Sequence, residues 1–332
     1  MEFERWTQDA TFYSPLEEFE EVTVEVEVRE DPLTGRRSRI VPESFLTPEE
    51  EPDLEPVVGD SEGCFFCPDA VGEVTPKYPD WVGFDRGHVG EATSFPNLNP
   101  YGAHSNVVAL TEDHFRPIGE LTPEIFADGL RAAFDYVTGV FEHDDEATVA
   151  SVNMNFLRPA GSSIVHPHLQ TLVDDRGTNY QDRLVSAARE YRDAHDTDYW
   201  SDLLAAERDG ERHVGATGDV EWVAPFAPRH HRHLTGVVPG MGVPDADDPV
   251  LVDFGAGIAA VLDGYDAAGL NSFNFALHVV DDPAVPPVLD VVARSVFDEY
   301  YWSDSPFFTV LHDEGVVDVA PETYAAETAA HL

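Results

Sequence analysis

The chain has 332 residues, too many for one small hydrophobic core, so its length implies two domains or an internal duplication. Against 19 Lys and Arg stand 64 Asp and Glu, a formal charge of −45, which repels a polyphosphate backbone and disfavours general nucleic-acid binding. A hydrophobic content of 42% with 11% aromatics excludes a disordered acidic chain. The spread of acids reads as a hydrated surface suited to concentrated salt, where screening removes self-repulsion. No stretch is apolar for the length of a membrane span, and Met1-Glu2-Phe3-Glu4 lacks the basic and apolar regions of a signal peptide. The expectation is a cytoplasmic protein with no membrane partner.

Residues 22–28 (Val-Thr-Val-Glu-Val-Glu-Val) alternate as a strand with valines on one face, and Asp31-Pro32-Leu33-Thr34-Gly35 turns the chain. The acidic, proline-containing stretch 43–62 predicts an exposed loop. Turn formers over 95–105 lead into a short strand at 107–110. Thr122 is a candidate N-cap with Pro123 in the first helical position, and Phe126, Leu130, Phe134, Val137 and Phe141 follow at helical spacing. A strand at 148–157 delivers its end to Gly161-Ser162-Ser163. Helices are expected at 179–194 and 197–209, strands at 221–226 and 234–238, and a helix presenting Leu251, Phe254, Ile258, Val261 and Tyr265. Strands at 272–280 and 306–311 complete the pattern. Strand–strand–helix–strand thus occurs twice, an α+β arrangement.

Cys64 and Cys67 are the only cysteines, spaced as metal ligands or a redox pair. A tetrahedral zinc needs two more donors; His114, just after a strand, and His166 are the candidates. The bland alternative is two buried thiols between Phe65 and Phe66. In His166-Pro167-His168-Leu169-Gln170, a strand would place the two histidines and the glutamine on one face. A neutral imidazole attacks phosphorus directly, and Gly161, Ser162 and Ser163 offer backbone N–H groups to an anion. A surface strand carrying histidines is the competing reading. Arg229-His230-His231-Arg232-His233 reads as a polar turn and strand edge, with metal or anion binding the sharper alternative.

Cys64-Phe-Phe-Cys67-Pro68, His114, Asn155, Gly161, Ser163 and His166-Pro-His168-x-Gln170 together resemble the galactose-1-phosphate uridylyltransferases of the histidine-triad superfamily. The likeness extends to Asp31–Gly35 and Trp222-Val-Ala-Pro-Phe226. It implies two histidine-triad-like domains, 1–178 with catalysis and zinc and 179–332, each an antiparallel sheet with flanking helices. It implies that His168 takes a nucleotide from a nucleoside diphosphate sugar and passes it to a sugar 1-phosphate, UDP-glucose and galactose 1-phosphate being the expected pair. Gln170 would hydrogen-bond the nucleotide phosphate, Asn155, Gly161 and Ser163 would line the phosphate site, and Asn97 would meet the nucleoside. A homodimer is implied in the same way. The chain departs from the pattern where the phosphate-contacting arginines fall on Ser44 and Thr47, with Arg36, Arg37, Arg39 or Arg158 as substitutes. Only His278 matches the second metal site, which is expected to be absent. The residues that recognise the sugar have no clear counterpart around Phe307–Asp318. Two other functions fit the same residues: a phosphorylase or hydrolase of ADP-sugars or dinucleoside polyphosphates, and a non-catalytic zinc-stabilised nucleotide-binding protein.

Overall fold

Alternation of valine with charge at the start of the chain produces a long ribbon. β1 (Arg5–Ser14) pairs antiparallel with β2 (Glu20–Glu30), Trp6 facing Val28 and Phe12 facing Val22. Directly opposed residues share a face, so Trp6, Ala10 and Phe12 line up with Val22, Val24, Val26 and Val28. Much of this apolar face is open: Trp6, Phe12 and Val24 are exposed. A computed structural model describes all residues except 42–51, 60–61, 299–300 and 302. β3 (Arg37–Ile40) extends the ribbon. Helices α1 (Glu55–Val58) and α2 (Pro68–Val74) follow, so part of the expected 43–62 loop is helical and much of the rest lies outside the described residues.

A second sheet holds ten strands. The first half contributes β4 (Gly87–Val89), β5 (Ala92–Pro96), β6 (His104–Ala109), β7 (Val149–Phe156) and β8 (His168–Asp174), with α3 (Pro123–His143) between β6 and β7. Helices α4 (Asn179–His195) and α5 (Tyr199–Glu207) come next. The second half contributes β9 (His213–Thr217), β10 (Val220–Val223), β11 (Leu234–Val237), β12 (Phe273–Val280) and β13 (Val288–Ala293), with α6 (Val250–Ala267) between β11 and β12. The strand order is β4-β5-β6-β8-β7-β12-β13-β11-β10-β9, symmetric about the β7–β12 pair. The twofold repeat is therefore strand–strand–strand–helix–strand–strand, longer by two strands per copy than the periodicity suggests.

The chain ends with α7 (Phe307–His312), β14 (Gly315–Val317) and α8 (Pro321–Thr328). The strand expected at 306–311 is thus a helix. A short apolar run does not distinguish the two periods, and here Pro306 caps a turn that leaves Phe307, Val310 and Leu311 exposed instead of pairing them. β14 joins β3 in parallel, the one departure from antiparallel pairing among the described strands. The α+β class with antiparallel sheets and flanking helices is otherwise as the sequence indicates.

One face of the ten-stranded sheet carries the main core. Leu169, Met154, Phe275, Leu277 and Leu289 meet Phe126, Leu130 and Phe134 of α3 and Phe254 and Ile258 of α6. Thr122 caps α3 through Oγ1, accepting from the Ile125 N–H, with Pro123 at the first position. Helices α3 and α6 touch so closely that a Cβ at Gly255 would lie 2.8 Å from the Ala127 nitrogen and 2.9 Å from the Pro123 oxygen. Backbone atoms cannot yield as side chains do. Helix propensity alone favours Gly255→Ala by about 1 kcal/mol, but forced separation of the helices costs about 1–3 kcal/mol. The expected outcome in a denaturant titration is a less stable variant; a more stable one refutes the close-packing account.

Candidate active site and metal cluster

The sheet face away from α3 and α6 carries the polar residues, and strand register sorts them into rows. One row runs Phe95, Val107, Gln170, Asn153, Ala276, Asp290, Thr235 across seven strands. A neighbouring row carries Ala109 and His168, then Asn155 and Asn274. Gln170 and His168 are two apart on β8, and their side chains meet, the Gln170 amide nitrogen lying 3.4 Å from His168 Nε2.

His168 is buried, edge-on to the Phe66 ring. Its Nδ1 lies 2.8 Å from the backbone oxygen of His166. A carbonyl only accepts, so Nδ1 carries the proton and Nε2 holds the lone pair. Burial lowers the pKa of the imidazole, while the bond to the His166 carbonyl opposes that shift. The ring is therefore held neutral with its nucleophilic nitrogen free of a proton.

The four sequence-proposed ligands converge. Sγ of Cys64 and Cys67, and one ring nitrogen each of His114 and His166, all lie within 4.8 Å of one another. Cys67 Sγ is 3.5 Å from His114 Nδ1 and 3.8 Å from His166 Nδ1, and Cys64 Sγ is 3.7 Å from His166 Nδ1. Tetrahedral bonds of about 2.3 Å to sulfur and 2.0–2.1 Å to nitrogen would set such S···N edges near 3.6 Å. The donors thus fit a tetrahedral metal ion. His166 Nε2 donates to the Thr111 oxygen at 2.8 Å, which turns the Nδ1 lone pair toward the cluster. Cys67 starts α2, with Pro68 at its first position, so the Cys-x-x-Cys turn is anchored by a helix. Burial, and next the neighbouring Cys64 thiol, push Cys67 up to about 11. A bound cation reverses that preference by favouring thiolate.

Gly161 ends a 3-10 turn, Arg158–Ala160, at φ +90°, and Ser163 is exposed beyond it on the connection to β8. Arg158 is also exposed, over the Phe297 ring. Asn97 sits past the end of β5, where its Oδ1 accepts from the Asn99 N–H and its backbone N–H reaches Ser105. Of the other candidate arginines, Arg37 pairs with Glu30 and Arg39 with Glu314, away from His168. Ser44 and Thr47 lie outside the described residues.

Asn274, Arg294 and Asp304 escape sequence reasoning, since only the strand order brings β12 against β7. Asn274 Nδ2 donates to Asn155 Oδ1 at 2.6 Å and to the Ala160 oxygen at 2.9 Å. Arg294 donates to Asn274 Oδ1 at 2.7 Å and is itself held by Asp304 at 2.6 Å. The chain of bonds fixes the Asn155 amide with its oxygen turned to Asn274, leaving its NH2 to donate. His278 is buried near Asp290, its Nε2 3.8 Å from the carboxylate. Arg229–His233 is the polar turn that leads into β11, half-buried over 229–232, and its last residue, His233, is 3% exposed with Nε2 3.0 Å from Asp290.

No family model matches the chain. An uncharacterised protein of Archaeoglobus fulgidus is 36% identical over 305 residues, 91% of each chain. Among solved structures, an ADP-glucose phosphorylase from Arabidopsis thaliana with bound ADP-glucose has a TM-score of 0.68 at 17% identity, covering 92% of this chain and 98% of that one. A galt-like protein from the same plant scores 0.69 at 17% identity, over 91% and 98%. A uridylyltransferase scores 0.66 at 16% identity, over 92% and 98%. At these identities the likeness establishes a shared fold.

Removing the Asn274 amide strands the Asn155 oxygen and the Ala160 carbonyl. Each unsatisfied buried group costs about 1–3 kcal/mol, so Asn274→Ala should lower the thermal midpoint measurably. An unchanged midpoint would show that the bonds across β7 and β12 carry no stability.

Proposed function

Since the chain belongs to the family of the Archaeoglobus fulgidus protein and shares the fold of phosphorylase and uridylyltransferase structures, we propose that it is a nucleotidyl-transferring enzyme using His168 as nucleophile. The observation that carries this reading is the His168 ring, neutral, clamped through Nδ1, with Nε2 beside Gln170. Nε2 attacks the α-phosphorus of a nucleoside diphosphate sugar; the bond to the bridging oxygen breaks and the sugar 1-phosphate leaves. A phosphate oxygen of the acceptor then attacks the same phosphorus, and the N–P bond breaks to restore the imidazole. Gln170 donates to a non-bridging oxygen. Unlike a histidine at this position, glutamine supplies no general base to activate water, which suits transfer over hydrolysis.

Asn155 donates its NH2 toward the transferred phosphate, and the Gly161–Ser163 segment offers N–H groups to the same anion. Arg158, exposed on the adjoining turn, supports phosphate in place of the family's arginines. Asn97 is the nucleoside contact the resemblance suggests. The first reading of the substrates is uridylyl transfer between UDP-glucose and galactose 1-phosphate. The second is a phosphorylase or hydrolase acting on an ADP-sugar or dinucleoside polyphosphate, left open because residues 307–318, where the sugar-recognising groups are expected, form the largely exposed α7 and the short β14. Zinc is the metal that suits two thiolates and two imidazoles. It would brace His166, two residues from the nucleophile, and the reaction needs no direct contact with it. The two units would be residues 1–178 and 179–332. The resemblance implies a homodimer, and the open apolar face of the β1–β2 ribbon is a surface a second copy would cover. No helix among the described residues is long and apolar enough to cross a membrane; a cytoplasmic setting and adaptation to concentrated salt complete the reading.

Incubation with labelled UDP-glucose or ADP-glucose, without acceptor, should leave an acid-labile, base-stable adduct that His168→Asn abolishes. Which nucleotide labels the protein separates the two substrate readings, and nucleotide exchange at the parental rate in His168→Asn removes both. Metal analysis should find about one zinc per chain, lost in Cys64→Ser together with stability. Zinc-free protein that is folded and fully active would end the bracing argument.

A further inference from the structure

We propose that the second half of the sheet carries a separate site for a small tetrahedral oxyanion of the phosphate class, held between the guanidinium groups of Arg36 and Arg229. The site is a cavity of about 70 Å3 whose lining includes both arginines, Tyr180, His233 and Asp290. That is several times the ~10–15 Å3 one water requires and far below the ~300 Å3 at which pockets for drug-sized ligands begin. An anion fits; a nucleotide does not.

Charge carries the argument. With 64 acidic side chains against 19 basic ones, carboxylates outnumber partners, and buried arginines such as Arg29 and Arg212 each hold one. Arg36 and Arg229 hold none within 4.0 Å among the described residues. Arg36 donates to the backbone oxygens of Ala227 and Arg37. Arg229 lies 3.8 Å over the Tyr180 ring centroid and hydrogen-bonds that side chain; burial works against its charge, but Tyr180 and Asp290 outweigh it and raise its pKa, so Arg36 is the less compensated of the two. Burial lowers the pKa of Arg36, and the charge of Arg229 acts in the same direction, offset in part by Asp31 and Asp313 at longer range. Two like charges facing one small space are costly unless something neutralises them.

The carboxylates that line the cavity act on the two arginines only at longer range, Asp31 on Arg36 and Asp290 on Arg229, and none pairs with them directly. Asp31 accepts from the Thr34 N–H at 2.7 Å and its hydroxyl at 2.6 Å. Glu207 is gripped by Arg212 at 2.7 and 3.0 Å. Asp290 accepts from Thr235 Oγ1 at 2.7 Å, His233 Nε2 at 3.0 Å and the Tyr180 hydroxyl at 3.1 Å. Two planar guanidinium forks, neither paired with a carboxylate, match the oxygens of a tetrahedral anion.

The site is distinct from the one at His168. Asp290 lies in the same row as Gln170 but three strands away, about 14 Å at the usual strand spacing. The inference is therefore independent of whether His168 takes a nucleotide.

Orthophosphate titrated calorimetrically into the full chain, at fixed ionic strength and with saturating AMP to occupy the proposed nucleotide site, tests it. The expected result is one saturable phosphate per chain, bound equally by His168→Asn and at least about tenfold more weakly by Arg36→Met or Arg229→Met, the loss of about one charged hydrogen bond. Should a methionine variant fail to fold, Arg229→Lys keeps the charge, loses the fork and should still bind several-fold more weakly. No saturable binding by the parent overturns the proposal, as does affinity indifferent to these arginine substitutions or loss of binding in His168→Asn. Chloride binding as tightly at the same arginines overturns the oxyanion class.

Discussion

The hydrogen bond from His168 Nδ1 to the carbonyl of His166 ties the proposed nucleophile to the cluster of two cysteines and two histidines through a single peptide segment. A neutral imidazole has one N–H and one lone pair, so spending the N–H on a carbonyl decides which nitrogen can react. His166 obeys the same logic in reverse. Its Nε2–H is spent on Thr111, and Nδ1 is left for the cysteines. Neither ring can turn without stranding a buried carbonyl, which costs far more than the rotation gains. The candidate metal donors, His168 and the glutamine beside it are consequently set by backbone geometry.

Much of this was legible in the sequence because it is local. Alternation in His-Pro-His-Leu-Gln places His168 and Gln170 on one face, and the Thr122-Pro123 start with its apolar spacing marks α3 correctly. The convergence of Cys64, Cys67, His114 and His166 followed from tetrahedral ligand counting. Long-range partners were not legible. Asn274 sits in an ordinary alternating strand, and nothing in Phe-Asn-Phe-Ala-Leu-His says that β12 will lie beside β7. The run Phe-Phe-Thr-Val-Leu has strand composition yet is helical, since no sheet edge meets it. Arg229–His233 is the polar turn before a strand that its composition suggests; the burial of His233 depends on Asp290, far along the chain.

The two halves of the sheet put one scaffold to two uses. In the first half, the connection into β8 leaves Gly161 and Ser163 exposed a few residues before His168. In the second, α4, α5 and the 31–36 turn cover the corresponding face, and Leu184, Trp200 and Val288 form a separate apolar cluster there. Asp290, His233 and Tyr180 are then joined in a network that holds the covering helix to the sheet. Strand order repeats, but cover does not, and cover sets how large a solute each row of polar side chains can meet.

The β1–β2 ribbon has a further consequence. Two strands alone are marginally stable in water, and this pair shows solvent a stripe that includes Trp6, Phe12 and Val24, interrupted by Gln8. Salts that are excluded from protein surfaces strengthen apolar contact, while they weaken repulsion among the surrounding glutamates. Both effects act in one direction, so the stripe grows more adhesive as brine becomes more concentrated. In dilute solution the same strip loses its grip as the acids push apart, making its attachment a built-in gauge of ionic strength.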